Sequence, residues 1–181
     1  MKNLIILSFC LFFGNGYAQV KKVRLQASGL TCSMCSNSIN KAILSLGYVK
    51  DVDANIQNSS FDITFNNPSA VNFDQLKKKV EDAGFFVARF EVDYQFDSIA
   101  VYKDAHIETN GILFHFLNVP EKNLLGEVTI RLLDKGFVSS KEFKKNSGLT
   151  KMECYKTGIT AACCSKQNKT EGLRIYHVTI L

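Results

Sequence analysis

The chain has 181 residues, 46% of them hydrophobic, and carries 22 Lys and Arg against 17 Asp and Glu, a formal net charge of +5. So small a surplus, about +2 on either side of residue 92 once Lys2 is set aside, argues against the clustered basic face of a nucleic-acid binder. Lys77-Lys78-Lys79 is its basic run and reads as the solvated side of a helix.

Residues 1–18 have the pattern of a secretory signal peptide. Lys2 supplies the positive start, Leu4 to Phe13 the apolar run, and Gly16-Tyr17-Ala18 the small residues of a cleavage site. That run of about ten residues is too short to cross a bilayer, which takes ~20 helical residues. Cys10 follows Phe9, where a lipoprotein would place a small residue. The mature chain is expected to begin at Gln19 and to be periplasmic or secreted, with no membrane span. About 163 residues then remain, enough for one medium domain or two small ones.

Residues 20–92 alternate between strand and helix periodicity. Val23, Leu25 and Ala27 alternate with polar residues, as in a half-buried strand. Ile39, Ala42, Ile43 and Leu46 recur at helical spacing, with Gly47 as the stop. Val49 to Ile56 reads as a strand, Asn58-Ser59-Ser60 as a turn, and Phe61, Ile63 and Phe65 as the inward face of the next strand. After the break at Pro68-Ser69, Asn72 and Gln75 form a capping-box-like start to a helix bearing Phe73, Leu76, Val80 and Ala83 and ending at Gly84. Phe86 to Val92 is a fourth strand. The order βαββαβ is that of a ferredoxin-like α+β fold.

Residues 95–181 read as a second, β-rich domain of unassigned function. Strands are expected at Phe96 to Tyr102, Ile112 to Val119, Gly126 to Val138, more weakly at Tyr155 to Ile159, and at Arg174 to Ile180. A short helix at Ser140 to Lys145 would be capped by Ser139 or Ser140. This order suits a small antiparallel sheet, with an OB-like barrel as one form. No Gly- or Pro-rich linker separates the halves near residues 91–96, so they are expected to dock closely.

The chemistry is concentrated in Gly29-Leu30-Thr31-Cys32-Ser33-Met34-Cys35, between the first strand and the first helix. Two thiols three positions apart on such a turn converge on one soft d10 cation, and Cu(I) prefers thiolate to imidazole or carboxylate. The start of a helix stabilises thiolate through its dipole and free amides. Structural zinc takes four ligands, and only two are evident here. The same spacing also serves a disulfide in an exported protein or a redox pair.

With these residues in place, residues 20–92 resemble the heavy-metal-associated domain of copper chaperones, copper-transporting P-type ATPases and the periplasmic mercury-binding protein. The family pattern is Gly-Met-Thr-Cys-x-x-Cys, from which this chain departs only at Leu30. Val80-Glu81-Asp82-Ala83-Gly84-Phe85 also resembles the end of the family's second helix. The resemblance implies Cu(I) held by Cys32 and Cys35, with Phe85 on the loop beside it. Other soft ions would fit the same pair. It further implies partners that exchange metal through thiolates, transport ATPases among them. It does not reach residues 95–181.

Without Cys10 five cysteines remain, an odd number that leaves at least one unpaired, metal-bound or intermolecular. Cys154, Cys163 and Cys164 lie in a polar stretch; a disulfide from Cys154 to either neighbour is the plainest account, and a second soft-metal site is the other. His106, His115 and His177 are scattered and read as satisfied sheet residues rather than ligands. No catalytic triad, phosphate loop or carboxylate pair stands out, so an enzyme is not expected. The sequence therefore reads as an exported copper chaperone or homeostasis protein. A mercury or heavy-metal scavenger is one alternative, and an envelope interaction module with a Cys32–Cys35 disulfide is the other.

Overall fold

The computed structural model describes residues 19–30, 32–167 and 171–181. The expected signal peptide at 1–18 lies outside them. In chain order the elements are β1 (Gln19–Ser28), α1 (Ser33–Leu44), β2 (Val49–Asn55), β3 (Ser60–Phe65), α2 (Phe73–Asp82) and β4 (Phe86–Val101). There follow β5 (His106–Thr109), β6 (Ile112–Phe116), β7 (Lys122–Leu132), α3 (Ser140–Asn146), α4 (Cys154–Thr157) and β8 (Ile175–Ile180). Short 3-10 turns occupy Pro68–Ala70 and Ala162–Gln167.

The first half forms as its periodicity predicts. Val23, Leu25 and Ala27 of β1 are buried and gather in one core with Phe61 and Ile63 of β3, Ile39 and Ile43 of α1, and Phe73, Leu76 and Val80 of α2. Asn72 caps α2 by accepting a hydrogen bond from the Gln75 amide at 3.0 Å. α1 closes at Ser45 rather than Gly47, because the Leu46 amide turns back to the Ile43 carbonyl at 3.0 Å, a 3-10 bond that ends the α-helical ladder. The sheet order β2-β3-β1-β4, all antiparallel, is the ferredoxin-like arrangement.

The second half keeps most of its expected strands and the Ser139-capped helix, but assembles them differently from a separate barrel. β4 runs for 16 residues straight through 92–95, with Phe90, Val92, Tyr94 and Phe96 all fully buried. Because the alternation runs unbroken from Phe90 to Phe96, the strand serves both halves. One edge pairs with β1 (Leu25 opposite Phe90) and the other with β7 (Val92 opposite Ile130). The remaining strands extend the same sheet, β2-β3-β1-β4-β7-β8-β6-β5, instead of closing an OB-like barrel. β6 and β8 run parallel, with α3 and α4 in the chain between β7 and β8.

Polar contacts fasten the halves as well. Arg174 donates to Asp74 of α2 at 2.8 Å and to Asp134 at 3.2 Å, and the Tyr176 hydroxyl donates to Asp74 at 2.9 Å. The weak strand expected at Tyr155 to Ile159 is instead α4. Gly158, at φ 71°, ends it in the left-handed region, and its amide bonds the Cys154 carbonyl at 2.7 Å. A side chain there would meet the Arg174 guanidinium at 2.8 Å.

Candidate metal centre

Gly29 turns the chain out of β1 at φ 87°, a conformation that residues with a Cβ resist. Its neighbour Leu30 is partly buried against the main core and anchors the loop from below. Thr31 lies outside the described residues. Cys32 then sits in extended conformation as the residue before α1, and Cys35 falls in the first turn. Their sulfurs are 2.9 Å apart, both as free thiols, with Cys32 exposed and Cys35 half-buried.

The electrostatics favour a thiolate. The Cys35 thiol and backbone amide both hydrogen-bond the Cys32 sulfur and hold its pKa below the usual thiol value. No acidic residue occupies the first turn of α1 to neutralise the positive end of the helix. Met34, between the two thiols, is 79% exposed, so the site opens to solvent and to any approaching partner. Phe85 packs beside this loop, its ring 3.9 Å from the position a Gly29 Cβ would take.

A profile described as the heavy-metal-associated domain matches residues 24–86, which contain Cys32, Cys35 and Phe85. The periplasmic component of a mercuric transport protein from Pseudomonas fluorescens is 32% identical over 86 residues, 47% of this chain and 93% of that protein. The chain belongs to the heavy-metal-associated domain family. A copper-transporting ATPase of Arabidopsis thaliana is 29% identical over 72 residues, which are 40% of this chain but 7% of the ATPase. The solved CopZ metallochaperone is 25% identical, over 38% of this chain and all of its own, with a TM-score of 0.36. The heavy-metal-associated segment supports heavy-metal binding; among the described residues no helix is long and apolar enough to cross a membrane.

The second thiol cluster and the histidines lie beyond the matched segment. Cys154 starts α4, while Cys163 and Cys164 sit in the 3-10 turn Ala162–Gln167 with their sulfurs 3.7 Å apart. Cys154 and Cys164 are fully buried in an apolar cluster with Leu113, Ile175 and Met152. Burial pushes the Cys154 and Cys164 thiols above their usual range. Burial also resists ionisation of half-buried Cys163, but hydrogen bonds from the Cys154 backbone and the Cys164 thiol outweigh it and hold Cys163 low.

The scattered histidines form a row. His106 stands opposite His115 on β5 and β6, and His115 opposite His177 on β6 and β8. Their ring centroids are 4.4 and 4.9 Å apart, and all three are buried. Burial together with the two neighbouring rings pushes the His115 pKa down to about 3, so the ring is neutral at ordinary pH. A signal for part of this row was present in the chain. Asn110-Gly111, at φ 48° and 73°, makes the two-residue turn of a tight hairpin, and counting back from it sets His106 against His115.

Proposed function

We propose that this protein is an exported carrier of soft metal, binding Cu(I) through Cys32 and Cys35 and releasing it by ligand exchange. One observation carries the reading: two free thiols 2.9 Å apart at the open start of a helix, one fully exposed with its pKa held low. Thiolate is the ligand that Cu(I) prefers. Exposure lets a partner's thiolate add to the bound ion before Cys32 departs and takes up a proton. The copper-transporting ATPases among the relatives support a partner of that kind, one that offers another thiolate site. Nothing in the reading requires catalysis by the protein itself.

The mercuric relative supports a second cargo, because the same two thiolates suit Hg(II). An anaerobic competition titration of C163S/C164S protein against a Cu(I) chelator tests the reading. One Cu(I) per chain is expected, lost on further replacement of Cys32. Failure to hold Cu(I) while Hg(II) binds would turn the protein into a scavenger; a Cys32–Cys35 disulfide in protein taken from its native compartment would make it an interaction module. N-terminal sequencing of that material checks export, with Gln19 expected first.

A further inference from the structure

We propose that Cys154, Cys163 and Cys164, with His115 beside Cys154, form a second, buried Cu(I) site that retains the ion where Cys32 and Cys35 exchange it. The donors fall into two overlapping triples, Cys154/Cys163/Cys164 and His106/His115/Cys154, the ligand atoms of each within 4.8 Å of one another. Cys154 belongs to both. Its sulfur lies 3.6 Å from His115 Nδ1.

His115 is prepared as a ligand in an independent way. Its Nε2 lies 3.0 Å from Asp104 Oδ1, where only an N–H can donate. That tautomer leaves the Nδ1 lone pair facing the Cys154 sulfur. A carboxylate on the far nitrogen is the usual outer partner of a metal-bound histidine, fixing both ring orientation and tautomer.

The cation class follows from the softness of the donors. Structural zinc also takes three thiolates and an imidazole, so the choice between the ions rests on softness and not on donor number. Three sulfurs within mutual reach, walled by Leu113, Ile175 and the thioether-bearing Met152, match a soft ion. Cys163 supplies the way in, being half-buried while Cys154 and Cys164 are not exposed at all. Binding displaces the thiol protons to solvent, so uptake is coupled to proton release.

The two sites cannot share one ion. β1, which leads into the Cys32 loop, and β6, which carries His115, are separated by β4, β7 and β8. At ~4.8 Å per strand that is roughly 20 Å of sheet.

The choice of Cu(I) rests on the function proposed above, and the test separates the two. Full-length C32S/C35S protein, reduced and anaerobic, is titrated with Cu(I) against bicinchoninate and studied by X-ray absorption at the copper edge. One Cu(I) per chain with both sulfur and imidazole neighbours is expected, falling to none on adding C163S, a half-exposed position where serine leaves the fold intact. No retained Cu(I), selection of Zn(II) when both ions are offered, or a disulfide within the cluster after air-free isolation would each overturn the proposal. Cu(I) bound by C163S/C164S protein but not by C32S/C35S protein would leave the first site standing alone.

Discussion

The two thiol groups of this chain share an element and almost nothing of its setting. Cys32 and Cys35 stand on an open loop at the start of a 12-residue helix, with Cys32 exposed and inclined to ionise. Cys154 and Cys164 are fully buried among apolar side chains that resist ionisation, and an imidazole rather than solvent faces Cys154. The contrast teaches that exposure, more than ligand type, divides a site built for exchange from one built for retention. A thiolate that solvent can reach, a partner's thiolate can also reach.

Breaking the exposed pair should produce the largest effect. C32S/C35S should weaken binding at that site by more than about 100-fold, the loss that removing even an outer hydrogen-bond partner of a metal ligand reaches. Competition with a chelator in the C163S/C164S background measures it.

The contrast in reactivity should be nearly as wide. In the metal-free reduced protein, iodoacetamide should modify Cys32 at least about two orders of magnitude faster than Cys154, because the thiolate is the nucleophile. Mass spectrometry of peptides after timed alkylation gives both rates. Equal rates would erase the distinction between the two regions.

Stability should reverse the ranking. C154S places a hydroxyl in an apolar cluster and should cost about 1–3 kcal/mol, read from chemical denaturation of the metal-free protein. C32S, at an exposed position, should stay within about 0.5 kcal/mol of the parent.

The smallest effect concerns the tie between the halves. Burial resists ionisation of Asp74, but the Arg174 guanidinium and Tyr176 hydroxyl beside it hold its carboxyl below the usual range. D74N should cost about 1–2 kcal/mol, allowing for solvent at a third of each side chain of the Arg174 pair. Because the folded-state pKa lies below the unfolded value of about 3.9, this contribution is complete above that pH. It drains away as pH falls further, so parent and D74N should converge in acid. Denaturation at a series of pH values checks the sign, and both metal sites should keep their stoichiometry in D74N.

The first half of the molecule was legible because its signals are local. Val23, Leu25 and Ala27 alternate within one strand, Asn72 caps its own helix, and Cys32 and Cys35 lie three positions apart. The second half depends on pairings between distant residues. His115 meets His177 only because β6 and β8 run side by side, although 62 positions separate them in the chain. Cys154 reaches His115 across 39 positions. The family-like segment ends near residue 92, while the burial pattern of Phe90, Val92, Tyr94 and Phe96 continues past that point. Asn110-Gly111 was the one local clue to the histidine row.

Stopped-flow transfer of Cu(I) from the loaded, reduced chain to an excess of thiol-containing chelator tests the central claim most directly. A fast phase of one Cu(I) per chain is expected in the parent protein and in C163S/C164S, and should be absent from C32S/C35S. A fast phase that survives in C32S/C35S would contradict the account.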